Sequence, residues 1–251
     1  MVDRGGRHED GRTRDELALS GMARGGPWRE WPVAWEVSSA PVPYPRAMER
    51  MDALAAAVAR GERPEHAWLL EHPPLITAGT SAREADLLRP DLLPVFRTGR
   101  GGQFTYHGPG QRVAYPILNL RARGRDVRRY VATLEQWIID TLADFGISAR
   151  REERLVGVWV DVPARLGGGM AKIAAIGVRV SRGVTRHGVA LNVDPDLSHY
   201  AAIVPCGVRE HGVTSMRALG VAADMAAVDA ALRRHFEALL GPTMPFAADE
   251  A

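Results

Sequence analysis

The chain predicts an α+β fold: a single domain in which a mixed, mostly antiparallel sheet is flanked by helices. Three observations carry that reading. One is the strong helical period of "DVRRYVATLEQWIIDTLADFG", residues 126–146. Another is the run of short β-branched segments that follows, "VGVWVD", "AKIAAIGVRV" and "VTRHGVALNVD", spaced like neighbouring paired strands. The last is the lack of any internal repeat or low-complexity tract between residues 31 and 242, so one core is expected to span them.

Along the chain, residues 1–30 carry Gly and Arg clusters without a sustained apolar period, and read as a loosely ordered N-terminal extension. The pattern becomes globular from "PVAWEVSS" onward, and residues 31–242 form the predicted domain. "YPRAMERMDALAAAVARG" predicts a helix ending at Gly61, and "HAWLLEHP" a buried strand running into the Pro73–Pro74 turn. "RVAYPILNL" is a further strand. In the central helix Val127, Tyr130, Val131, Leu134, Ile138, Leu142 and Phe145 recur at three and four, with Asp126 as N-cap and Gly146 as stop. A last amphipathic helix, roughly Ala223 to Leu240, halts at Gly241–Pro242, leaving residues 243–251 as a short C-terminal tail.

Bulk composition narrows the function classes. Hydrophobic content of 46% and charged content of 25% are ordinary for a globular domain. No apolar run reaches the ~18 residues of a membrane span, and the charged, Gly-rich start is no secretory signal. One cysteine excludes an internal disulfide framework; the expected compartment is the cytoplasm. A net charge of +2 falls far short of a nucleic-acid-binding stripe. The mild arginine surplus suits either a solvated surface or transient docking of an acidic partner.

Three segments carry chemistry. In "RTGRGGQFTYHGPGQ", residues 97–111, five of fifteen positions are glycine, a density that brings backbone amides close to a ligand. It matches neither a dinucleotide fingerprint nor a Walker A loop. The plain alternative is a tight hairpin loop, against which stand Arg100, Gln103, Thr105, Tyr106 and His107 within eight residues. Cys206 in "IVPCGV" is the chain's one thiol: a nucleophile, or an inert buried residue. No second cysteine and no H-x-x-x-H spacing suggest a metal site. Lys172 is the one lysine among 32 basic side chains. Arginine stays protonated, whereas a desolvated lysine can shuttle a proton. Lys172 stands at the head of the apolar segment "KIAAIGVRV", where mere solvation is least natural. Compositional chance is the competing explanation.

Taken together, "EHPPLITAGTSA", "RTGRGGQFTYHGPGQRVAYP", "AKIAAIGVRV", "HGVALNVDPDL" and "IVPCGV" resemble the lipoate-protein octanoyltransferase family over roughly residues 33–220. The resemblance implies a fold like that of biotin and lipoate ligases. It implies an acyltransferase that moves an octanoyl group from octanoyl-acyl carrier protein to a lysine of lipoyl domains, the first step of lipoate biosynthesis. Carried over, the thioester nucleophile falls on Cys206 and its partner on Lys172. The substrate-binding run falls on Arg100, Gly101, Gly102, Gln103, Phe104, Thr105, Tyr106 and His107, with two shorter segments on Ala175, Ile176 and Gly177 and on Gly188, Val189 and Ala190.

General chemistry agrees with those roles. A free thiol, with pKa near 8.5, is only about 3% thiolate at pH 7; a neighbouring ammonium favours the anion. Lysine can then take a proton from the attacking amine. The thioester arrives activated, so no cofactor and no metal are expected. The implied acceptors are lipoyl domains of 2-oxoacid dehydrogenase complexes and the glycine cleavage H protein; the implied state is a monomer, with no nucleic-acid or membrane partner. The rival readings are an ATP-dependent lipoate or biotin ligase and a non-catalytic carrier-binding module on the same fold.

Overall fold

The computed structural model describes residues 32–204 and 211–246. Strand β1 (Val33–Val37) leads into helix α1 (Tyr44–Arg60). Pro45 lies in the first turn, where a missing N–H breaks no helical bond. Gly61 closes the helix at φ 75°, as predicted, and donates its N–H to the Val58 carbonyl. Strands β2 (His66–Leu70), β3 (Leu75–Ala78), β4 (Val95–Arg97), β5 (Phe104–His107) and β6 (Gln111–Ile117) follow. Helix α2 (Val127–Ala143) starts on Asp126, whose carboxylate accepts from the Arg129 N–H at 2.9 Å. Next come β7 (Ala149–Glu152), β8 (Leu155–Asp161), β9 (Met170–Ser181) and β10 (Val184–Asn192), the predicted meander. Strand β11 (Gly212–Val213), helix α3 (Met225–Leu240) and strand β12 (Thr243–Pro245) complete the described chain.

The large sheet runs β12-β1-β2-β6-β10-β9-β8-β7, with β11 alongside β9. Its pairs from β2 to β7 are antiparallel; β12–β1, β1–β2 and β11–β9 are parallel. The mixed, mostly antiparallel sheet flanked by helices is therefore present. A second sheet, β4-β3-β5, was not foreseen. It also settles the form of the glycine-rich segment, which is no hairpin. Strand β5 pairs with β3 in the small sheet, while β6 joins β2 and β10 in the large one. The Gly108–Gly110 turn thus crosses from one sheet to the other. Residues 243–251, read as a tail, begin with a paired strand: Thr243 lies opposite Val33, and the Phe246 N–H donates to the Trp35 carbonyl at 2.9 Å.

The large sheet is covered on both faces. Helices α2 and α3 bury Leu134, Trp137, Ile138, Phe236 and Leu240 against Leu69, Val158 and Ile173 on one side. Helix α1 lays Met51, Leu54 and Val58 against Trp68, Val113 and Tyr115 on the other. All five residues of β2 are buried for that reason: Ala67 and Leu69 face one core, Trp68 and Leu70 the other.

Candidate active site

On the α1 side, a cavity of about 250 Å³ opens between the large sheet and the glycine-rich segment. Most of the residues picked out in the sequence line it. Arg100, Gly102, Gln103, Phe104, Thr105 and His107 come from the glycine-rich segment and β5. Ala175, Ile176 and Gly177 come from β9, and Gly188, Val189 and Ala190 from β10. The pairing Gly188↔Gly177 and Ala190↔Ala175 sets small residues side by side on one sheet face, so the floor stays low.

Two described residues of the sequence prediction stand elsewhere. Gly101 docks the loop instead of lining the cavity: its N–H donates to the Val178 carbonyl at 3.0 Å and its own carbonyl accepts from Arg100 Nη1. Tyr106 is turned by strand alternation into the cluster beneath the small sheet. There its hydroxyl bonds His199 Nδ1 at 3.0 Å and its ring meets Tyr200. Cys206 lies outside the described residues.

Lys172 reaches the cavity through an irregularity in its strand. Trp159 on β8 pairs with Lys172 but Val158 pairs with Ala174, so Ile173 has no opposite number. A strict period of two would put Lys172 and Ala175 on opposite faces; the extra residue brings both into the cavity wall. The lysine is 6% exposed. Its Nζ donates to the Val156 carbonyl at 2.8 Å and sits 4.6 Å from the Trp159 ring centroid. On the other edge, β11 sets Val213 beside Lys172, and the Thr214 N–H donates to the Lys172 carbonyl at 2.9 Å.

Arg100 is built into the wall as a brace. Its guanidinium donates to the Thr77 carbonyl at 2.8 Å, the Thr77 hydroxyl at 2.7 Å and the Gln103 carbonyl at 2.9 Å. Gly177 is needed here, because a Cβ would come within 3.0 Å of Arg100 Cδ. From Arg100 a polar chain runs inward. Gln111 Nε2 donates to the Tyr106 carbonyl and to Asn192 Oδ1, so its Oε1 accepts from His107 Nδ1 at 2.7 Å. His107 Nε2 is left to accept from the Thr77 hydroxyl at 3.2 Å.

Burial, with the neighbouring His72 and the Arg100 guanidinium adding to it, holds His107 well below the usual histidine range. Burial also lowers His72 to about 4 and His187 to about 3, the latter helped by Arg100, Arg179 and Arg186. His72 Nδ1–H donates a hydrogen bond to the Val42 carbonyl, so Nε2 accepts from the Tyr115 hydroxyl at 2.8 Å. The cavity therefore holds neutral imidazoles beside permanent cations.

Sequence reasoning missed Tyr44, Tyr115, His187 and the Arg154–Val156 rim, all of which line the cavity. His187 had a signal, standing directly before Gly188. Its left-handed backbone, φ 58°, is a tertiary feature. No Asp or Glu is among the described lining residues. An apolar floor, one ammonium and no carboxylate suit the stabilisation of an anion beside an acyl chain. Among the described residues, no group of three His, Cys, Asp or Glu side chains is placed to hold a metal ion, and no helix is long and apolar enough to cross a membrane.

Residues 43–237 match the family described as Lipoyl protein ligase A/B catalytic domain, and the chain belongs to that family, within its octanoyltransferase branch. An octanoyltransferase of Caulobacter vibrioides is 58% identical over 214 residues, covering 84% of this chain and 93% of that one. One from Acidiphilium cryptum is 60% identical over 210 residues, covering 82% and 91%. The fold is that of lipoate-protein ligases. A lipoate-protein ligase A bound with ATP superposes with TM-score 0.64 at 18% identity, covering 87% of this chain and 90% of that one. The bipartite ligase of Thermoplasma acidophilum gives 0.63 at 18%, covering 87% and 88%. The chain is thus an acyltransferase.

Proposed function

We propose that this chain transfers an octanoyl group from octanoyl-acyl carrier protein to a lysine of lipoyl domains, through a thioester on Cys206. The observation that carries the reading is the desolvated ammonium of Lys172 in the wall of an apolar cavity lined by no described carboxylate. The acceptors are lipoyl domains of 2-oxoacid dehydrogenase complexes and the glycine cleavage H protein. The enzyme acts as a cytoplasmic monomer whose catalytic domain spans residues 31–242. No nucleic acid, membrane, metal or other cofactor takes part in this scheme.

The proposed chemistry balances with one shuttled proton. Cys206 thiolate, paired with the Lys172 ammonium, attacks the donor thioester carbonyl and expels the carrier thiolate. That leaving thiolate takes a proton from Lys172, which becomes a neutral amine. The acceptor lysine, itself neutral, then attacks the acyl-enzyme and yields its proton to Lys172 as the amide forms. Cys206 departs as thiolate beside a restored ammonium. The floor of Ala175, Gly177, Gly188 and Ala190 receives the acyl chain, and the brace on Arg100 holds the loop over it.

Intact mass after incubation with octanoyl-acyl carrier protein, without nucleotide, tests the reading. One octanoyl group is expected on the wild type and none on Cys206→Ser. An adduct surviving that substitution, or a requirement for ATP, would overturn it.

A further inference from the structure

Beneath Lys172 lies a charged residue that this mechanism does not use. Glu135 projects from α2 on the opposite face of the sheet and is 0% exposed. Its neighbours Leu134 and Ile138 belong to the apolar core there. Glu135 Oε1 accepts a hydrogen bond from the Gly157 N–H at 2.9 Å. Lys172 Nζ donates to the Val156 carbonyl at 2.8 Å. That N–H and that carbonyl belong to one peptide unit, so a carboxylate and an ammonium grip the same amide from opposite faces of the sheet. We propose that Glu135 is a positioning residue for Lys172, fixing the ammonium in the cavity wall and supplying its counter-charge through the Val156–Gly157 peptide.

The backbone is shaped for this contact. Gly157 has φ 126°, a region that side chains avoid, and a Cβ there would come within 2.8 Å of the Ala174 carbonyl oxygen and 3.2 Å of Lys172 Nζ. Only a glycine lets the peptide turn its N–H to Glu135 while Lys172 crosses above it. Standard peptide dimensions put the two charges within about 8 Å of each other, in an interior where screening is weak. Burying a carboxylate in an apolar core is costly unless it is bonded and compensated. Among the described residues, the charged and titratable side chains that share the cavity with Lys172 are Tyr44, Arg100, His107, Tyr115, Arg154 and His187, and His211 meets the Trp159 ring.

The inference builds on Lys172 as the reacting group, yet its test needs no turnover. Because the chain has one lysine, protein labelled with ¹³Cε-lysine gives a single side-chain signal whose titration is followed directly. Glu135→Gln keeps an acceptor for the Gly157 N–H and removes the charge. The lysine titration midpoint is expected about one pH unit lower in Glu135→Gln than in wild type, a tenfold change in the protonation ratio. The reciprocal variant, Lys172→Met, serves if Glu135→Gln does not fold. The Glu135 carboxyl-carbon midpoint then rises by a similar amount, because coupling between two sites is mutual. Unmoved midpoints in the folded variants would overturn the proposal. The octanoyl-adduct experiment on Cys206 is read separately, so failure of one idea is distinguishable from failure of the other.

Discussion

Lys172 shows how much chemistry one residue type decides. It is the chain's one lysine, buried, with its Nζ donating to the Val156 carbonyl. Under the proposed mechanism, replacing it by arginine keeps the charge but removes the proton shuttle. In single-turnover measurements, Lys172→Arg is expected to slow octanoyl transfer to the acceptor about 10²–10⁴-fold, while acylation of Cys206 suffers less. Transfer at the wild-type rate would reduce the lysine to an electrostatic partner. Of the residues chosen from the sequence, those with simple placement were legible: Arg100, His107, Ala175 and Ala190 do line the cavity. Tyr106 was not, because alternation along β5 sends neighbouring side chains to opposite faces and its motif does not reveal which face is which.

At the scale of elements, local rules wrote most of the boundaries. Gly61 and Asp126 sit at the helix ends for which their backbone and side chain are suited. Asp126→Ala removes the oxygen that accepts from the Arg129 N–H, so a loss of about 1 kcal/mol is expected. Urea unfolding should register it as a lower midpoint at unchanged slope; an unmoved midpoint would show the cap to be dispensable. Strand partners were less legible. The three-run meander declared itself because its strands follow one another through short turns. The split of β5 and β6 between two sheets did not, since one continuous motif covers both.

For the whole molecule, buried histidines make stability depend on pH. The folded pKa of His72, about 4, and of His187, about 3, lie below the unfolded value near 6.5. Their contribution is therefore intact above pH 6.5 and lost as pH falls from there toward the folded values. Between pH 7 and pH 5 each is expected to remove on the order of 2 kcal/mol. Asp229 acts the other way: burial raises its carboxyl to about 6, so acidification returns on the order of 1 kcal/mol, discounted for its partial exposure. The net result is lower stability at pH 5 than at pH 7, measured by urea unfolding at both. Equal stability would mean that these histidines are solvated in the folded protein.

The sequence by itself determined the helices, the meander, the helix caps and the residue types able to do acyl-transfer chemistry. Those depend on periodicity, on backbone preference and on what a thiol and an amine can do, all local properties. Tertiary structure decided what faces what. Ile173 has no opposite number on β8, and that single residue brings Lys172 onto the face of Ala175 and Gly177. Thr243–Pro245 became an edge strand because β1 offered it free backbone groups. Glu135, one more helical glutamate in the sequence, meets Lys172 through a shared peptide because Gly157 lets two faces of a sheet touch one amide. Such contacts join residues far apart in the chain, and no local pattern encodes them.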